Sequence, residues 1–287
     1  HNPSIDRVIA FQPGRTLRSL AAELRAGRYT HRLDLHGSLR SHALRGLAPG
    51  RWTSYPKHRL ARTLLIHTKH NVYRDHRPIA ERYFSAAQGL DVSPDGAPAD
   101  FFLSAEAEDE ATGWLAASGL AAERPLVALA PGAAHATKRW PLEHWRAVAA
   151  QLVAGGSSVV VVGGPEDAKL GAALAGSVTG QIATAVGRFG LQGTGALLRR
   201  SRAVISGDTG VMHMATALRR PVVALYGPTV GAFGFFPYTR TASVLELPLS
   251  CRPCTSQGST RCPLGHHRCM LEIRPDWVYD TVRRHIA

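Results

Sequence analysis

Five short apolar runs, at residues 126–130, 159–162, 182–186, 203–206 and 222–226, are separated by segments with helical spacing. Runs of this length, apolar at successive positions and closed by glycine, proline or a polar turn, are strands buried on both faces. Strand and helix in alternation leave one architecture, an α/β domain built around a parallel sheet. The helices read as 141–153, with Pro141 at its first position, 167–174, 191–200 and 211–218. These elements outline a nucleotide-binding type of domain from about residue 123 to 250. Residues 275–286 read as a last amphipathic helix.

The first part is less regular. Residues 7–11 and 32–35 read as strands, 17–26 and 39–47 as helices, and His36-Gly37-Ser38 as the turn between them. Residues 49–78 are basic, irregular and rich in His, Tyr and Trp, and 91–100 carry the turn formers and acids of a loop. A chain of 287 residues has room for two domains. The division expected is 1–122, then 123–274 with the cysteines, then a C-terminal helix over 275–287. No run approaches the roughly 20 apolar residues of a membrane span.

Charge is unevenly spread. Of a net +13, residues 1–90 hold +11, from 16 Lys/Arg against 5 Asp/Glu. A basic half beside a nearly neutral one points to an anionic partner, or else to an arginine-rich solvated surface. Nucleic acid, acidic lipid headgroups and phosphorylated glycolipids all meet that demand. Nucleic acid is set aside because Trp52, Tyr55 and Tyr73 are scattered through an irregular segment, with no binding motif around them.

The most informative stretch is Ser206-Gly207-Asp208-Thr209-Gly210-Val211-Met212-His213. A strand ends, a glycine-bearing loop follows, and a helix begins at once. Helix-start N–H groups and the helix dipole make such a junction a site for a diphosphate. Gly210 allows close backbone approach, Asp208 can accept from sugar hydroxyls, and His213 can add a donor one turn on. Asp208 could instead simply cap the helix. Two other strand ends point the same way: Lys138 can neutralise a phosphate, and Glu166 can hold ribose hydroxyls. Neither a Gly-x-Gly-x-x-Gly fingerprint nor a Gly-x4-Gly-Lys-Ser/Thr loop occurs, which argues against dehydrogenases and P-loop enzymes.

All four cysteines, Cys251, Cys254, Cys262 and Cys269, fall within 19 residues. Four thiols among knuckle-forming Pro and Gly match the ligand count of a closed tetrahedral site for zinc or iron, with His266 and His267 as substitutes for one thiolate. Reduced, unligated thiols and disulfides are the other readings.

The runs SGDTGVMHMATALRRPVVALYGPT, PGAAHATKRWPLEHW and VVVVGGPED resemble the heptosyltransferase family, glycosyltransferase family 9, which transfers heptose from ADP-heptose to the lipopolysaccharide inner core. LDLHGSLRS is similar to that family's acceptor-side segment. The resemblance implies a GT-B fold, two facing Rossmann-like domains with parallel sheets and an active site in the cleft. It places the ADP-sugar against the second domain, on Lys138, Glu166, Asp208, Thr209, Gly210 and His213. A phosphorylated glycolipid acceptor would meet His36, Ser38, Arg40, Lys57 and Arg59, in a cytoplasmic protein held peripherally at an anionic inner membrane. No cofactor would be needed for the chemistry, and the cysteine segment would be structural. In this sequence Ala133 and Ala134 stand where some relatives place hydroxyl residues. The family's catalytic carboxylate, on an early Gly-Asp loop, is expected upstream of His1, so the first domain reads as truncated. The alternatives are a non-catalytic or truncated sugar-nucleotide-binding module, or another GT-B sugar-nucleotide enzyme.

Overall fold

A computed structural model of the chain describes residues 2–286. The first part runs α1 (Leu17–Ala26), β1 (Arg32–Asp34), α2 (Leu39–Leu47), β2 (Trp52–Ser54), α3 (Arg59–Thr68) and α4 (Ile79–Tyr83). β1 and β2 pair in parallel, Leu33 opposite Thr53. Residues 7–11 are not a strand: among the described residues no strand lies beside them, and an unpaired strand leaves its backbone groups without partners. The segment 49–78, read as irregular, holds β2 and α3. The α3 stripe was obscured because Leu65 buries against the other half of the molecule, with Phe233, and not against its own sheet.

A long helix, α5 (Ala105–Ala117), then leads into β3 (Leu126–Ala130), α6 (Leu142–Ala154), β4 (Ser158–Val161), α7 (Ala168–Ala175) and β5 (Ile182–Thr184). The chain continues through α8 (Leu191–Arg200), β6 (Ala203–Gly207), α9 (Gly210–Ala217), β7 (Val222–Tyr226) and β8 (Ala242–Glu246). It ends with a short turn, α10 (Arg268–Leu271), and α11 (Pro275–Ile286). Pro141 immediately precedes α6, with φ −57° and ψ 141°. Its fixed φ sets the entry to the helix, although its extended ψ keeps it outside.

All six strands of this half form one parallel sheet in the order β5-β4-β3-β6-β7-β8. The order starts from the middle and reverses between β3 and β6, the doubly wound arrangement of nucleotide-binding folds. Alternate residues feed two cores. Val127, Leu129, Val159, Val161 and Ile205 face α6 and α11, packing on Trp145, Leu152 and Val278. Ala128, Ala130, Val160 and Val204 face α8 and α9, packing on Leu197, Met212 and Ala215, with Ala111 of α5 among them. Each fully buried Val, Leu or Ile contributes about 1.5–3 kcal/mol, which is why consecutive apolar residues are needed on strands covered from both sides.

Candidate active site

β3 and β6 are adjacent in the sheet, but the helices that follow them, α6 and α9, cover opposite faces. A crevice therefore opens beyond their carboxyl ends, at the switch point where such folds bind ligands. It is a cavity of about 360 Å³ walled by the loops after β3, β4 and β6, including Gly132, Lys138, Glu166, Asp208, Thr209 and Gly210.

Thr209 precedes α9 with an extended backbone, φ −141° and ψ 171°, and its hydroxyl lies 3.0 Å from Ser206 Oγ instead of capping the helix. Asp208 does not cap it either. Its Oδ2 accepts from Lys138 Nζ at 2.7 Å and from Thr229 Oγ1 at 2.8 Å. The helix start is thereby left open to the cavity, where its N–H groups favour an anion. Lys138 and Asp208 are only 13% and 11% exposed, so their attraction is little screened by solvent.

The same two residues also line a second, smaller pocket of about 180 Å³. Its wall includes Thr229, Phe233, Phe235, Ser256 and Gln257, and Arg62 of α3 closes it from the first part of the chain. The Arg62 guanidinium lies 5.6 Å from the centre of the Phe233 ring, and its Nε is buried without a partner. The Lys138–Asp208 pair thus stands between two compartments.

Asp167 is a further acid in the larger cavity that sequence reasoning passed over in favour of Glu166. Glu166 is exposed, whereas the Asp167 carboxylate rests so close over Gly132 that a Cβ there would collide with it. Burial, then the neighbouring Glu166, raises the Asp167 pKa against the pull of Arg139 and a backbone hydrogen bond. The Glu166 carboxylate lies as closely over Gly164, so both acids belong to the cavity wall, and sequence spacing alone does not reveal the second.

His213 lies outside the walls of both compartments and is exposed. Crowding by surrounding protein nonetheless lowers its pKa, with Asp208 opposing and Lys138 reinforcing the shift. The ring is therefore neutral near pH 7 in the free protein. A diphosphate beside Lys138 would favour the protonated ring, so binding takes up a proton and strengthens as pH falls from 8 towards 6. The slope is bounded at about tenfold per pH unit for one proton. Pyrophosphate titrations at the two pH values should show this trend in the parent protein and a flatter one in His213→Gln. Equal slopes in both would remove His213 from the site.

The acceptor-side residues gather around the turn between β1 and α2. Asp34 is buried there; burial works to raise its pKa, but hydrogen bonds from Gly37 N–H, Ser41 Oγ and His36 N–H outweigh that and hold it low. Ser38 caps α2, its Oγ accepting from Ser41 N at 3.2 Å. Lys57 donates to His36 O, and Arg59 donates to Gly37 O at 2.5 Å. Arg40 stacks over Phe11. Burial, then Arg59 and Arg62, lowers the Lys57 pKa against Asp34, which marks a crowded cationic cluster. His36, Ser38, Arg40, Lys57 and Arg59 line neither compartment; the residue of the first part that does is Arg62.

The cysteines share one region without forming a coordination sphere. Cys269 is buried in the core beside Met270, and burial, then Cys254, pushes its pKa up to about 11. Burial and the neighbouring Cys251 raise that of Cys254. Among the described residues no group of three or more His, Cys, Asp or Glu side chains is gathered closely enough to hold a metal ion. The tetrahedral arrangement expected for Cys251, Cys254, Cys262 and Cys269 is therefore not formed in this structure.

Residues 17–264 match the family model "Glycosyltransferase family 9 (heptosyltransferase)". Lipopolysaccharide heptosyltransferase 2 of Salmonella typhimurium is 32% identical over 168 residues, 57% of this chain and 47% of that enzyme. The chain thus matches about half the length of that relative. The crystal structure of a family 9 glycosyltransferase from Veillonella parvula superposes with a TM-score of 0.75 at 23% identity, covering 94% of this chain and 77% of that one. The structure of E. coli ADP-heptose LPS heptosyltransferase II superposes with a TM-score of 0.68 at 26% identity, covering 94% of this chain and 80% of that one.

Proposed function

The chain belongs to glycosyltransferase family 9, the heptosyltransferases, and from that premise we propose that it transfers heptose from ADP-heptose to a lipopolysaccharide inner-core acceptor. The fold is the α/β GT-B architecture of that family. The observation that carries the reading is the Lys138–Asp208 pair, set between a nucleotide-sized cavity at a helix start and a sugar-sized pocket.

In this reaction the acceptor hydroxyl oxygen attacks the anomeric carbon. The bond from that carbon to the β-phosphate oxygen breaks, and its electrons leave on ADP. Lys138 and the open N–H groups at Thr209 and Gly210 offset the charge that accumulates on the departing diphosphate. Glu166 and Asp167 offer carboxylates to the ribose hydroxyls. A carboxylate takes the acceptor proton; the one expected upstream of His1 lies outside the described residues.

The acceptor's phosphates suit the mutually repelling cations Lys57, Arg59 and Arg62, with Arg40, His36 and Ser38 on the same turn. Peripheral contact with an anionic inner-membrane face follows from the same surface. Leu39 and Leu60, on the first turns of α2 and α3, are 90% and 87% exposed beside Arg40 and Arg59. Apolar side chains ringed by cations fit a headgroup boundary. Among the described residues no helix is long and apolar enough to cross a membrane.

The deciding experiment supplies ADP-heptose and a heptose-deficient lipopolysaccharide acceptor and follows ADP release. Transfer supports the proposal. ADP binding without transfer points to a sugar-nucleotide-binding module, and no ADP binding removes the reading.

A structural zinc or iron on the four cysteines belongs to the same proposal, since three of them act on the pKa of the fourth. The thiols would have to draw together to ligate it, and no step above passes through it. Freshly purified protein should carry close to one metal per chain, and Cys254→Ser should lose both the metal and thermal stability. Elemental analysis that finds neither zinc nor iron refutes it.

A further inference from the structure

The smaller compartment has a wall that the nucleotide chemistry does not use. Two of its polar residues, Ser256 and Gln257, come from the cysteine-bearing segment 251–269. We infer that this segment is the element that discriminates the transferred sugar, with Gln257 and Ser256 reading its hydroxyls; the inference rests on the donor assignment above and deepens it.

On the Ser256–Gln257 side, away from the cations Arg62 and Lys138, the chemistry of the wall favours a sugar over a phosphate. Ser and Gln are neutral and each both donates and accepts, which matches hydroxyl groups and not an anion. Neither side chain has a hydrogen bond with another described residue, so both are free to pair with a ligand. Phe233 and Phe235 add aromatic surface for the C–H face of a ring. The volume, about 180 Å³, is that of about six waters, enough for a single monosaccharide and too little for a nucleotide. Asp208 and Lys138 belong to both compartments, so a sugar in the smaller one has its anomeric carbon at the pair while its diphosphate reaches α9.

The segment is also held in place to do this. Thr137, the residue before Lys138, is buried and exchanges hydrogen bonds with Ser259: Thr137 N donates to Ser259 O at 3.1 Å, and Ser259 N donates to Thr137 Oγ1 at 2.8 Å. His267 Nε2 lies 2.9 Å from Thr137 O. Gly258, at φ +106°, packs on His135 so closely that a Cβ would lie 2.7 Å from the His135 Cβ. On the other side Arg252 donates to Thr229 O at 2.7 Å, and Thr229 holds Asp208. One segment therefore braces both members of the Lys138–Asp208 pair and presents two hydroxyl readers beside them.

A site built to pair with hydroxyls rejects analogues that misplace them. The test compares calorimetric affinities for ADP, ADP-heptose and ADP-glucose in the parent protein and in Gln257→Ala and Ser256→Ala. Gln257 is exposed, so its loss should leave the fold intact, and an unchanged ADP affinity checks that directly. The expected result is ADP binding within twofold of the parent, ADP-heptose binding weakened about five- to tenfold in Gln257→Ala, and a collapsed preference over ADP-glucose. If the parent binds ADP-heptose in preference to ADP-glucose and both variants keep that preference, the segment does not read the sugar, and the donor assignment survives. If the parent binds no ADP compound, the donor assignment falls and this inference falls with it.

Discussion

Lys138→Ala is expected to weaken ADP binding by about 10- to 150-fold, while Asp208→Asn leaves ADP binding within about threefold and abolishes transfer. The asymmetry comes from the pair itself. Lys138 Nζ and Asp208 Oδ2 are 2.7 Å apart and nearly out of solvent. Removing the lysine deletes a charge-assisted hydrogen bond to the diphosphate, worth about 1.5–3 kcal/mol, and also leaves the Asp208 carboxylate unopposed beside the incoming anion. Removing the aspartate charge frees the ammonium for the diphosphate. The amide oxygen of Asn can still accept from Thr229 Oγ1, so the loop after β6 keeps its shape. What the variant lacks is the carboxylate that the proposed donor site sets beside the sugar in the smaller compartment. Calorimetry with ADP, followed by a transfer assay, separates the two effects. Equal loss of ADP affinity in both variants would show that the pair is a structural strut and that Lys138 does not face the ligand.

How far the sequence could be read follows from where each residue finds its partners. Strands such as Leu126–Ala130 and Val222–Tyr226 are legible because burial on both faces forces every position to be apolar. The Asp208-Thr209-Gly210 junction is legible because strand end, loop and helix start are contiguous. Arg62 is not. It lies on a helix whose inner residues, Ala61 and Leu65, pack against Phe233 and Val230, far away in sequence. Asp167 competed with its neighbour Glu166, and spacing alone does not show that both carboxylates line the cavity, Asp167 over Gly132 and Glu166 over Gly164. Ser256 and Gln257 sit in a segment whose four cysteines drew the reading towards metal. Spacing counts thiols but does not show that the polar residues between them line a pocket, nor that Cys269 packs in the core beside Met270.

The largest stability effect is expected at Arg82, whose replacement by alanine should lower the melting temperature by about 6–12 °C. Arg82 is 1% exposed, yet it is a cation lodged between the two halves of the chain. Its Nη2 donates to Asp75 O at 3.0 Å and to Ala232 O at 3.3 Å, and its Nη1 donates to Phe233 O at 3.3 Å. The guanidinium also lies 5.5 Å from the centre of the Tyr73 ring. Truncation leaves buried carbonyl oxygens unpaired, at about 1–3 kcal/mol each, and removes the cation–π contact. A net loss of about 3 kcal/mol, at about 2–4 °C per kcal/mol for a chain of this size, gives the stated range. The consequence for function is local. Ile79 N donates to Gly234 O at 2.8 Å, so α4 and Arg82 together pin residues 232–234, which carry Phe233 into the smaller compartment. Arg82→Lys retains the charge but cannot reach three carbonyls from one planar fork, so it should recover part of the stability. Both variants should therefore lose affinity for ADP-heptose more than for ADP if the sugar occupies the smaller compartment as proposed, because Phe233 of the loop that Arg82 holds lines that compartment. A melting temperature within a degree of the parent, measured by calorimetry, would mean that the cleft is set by other contacts between the two halves.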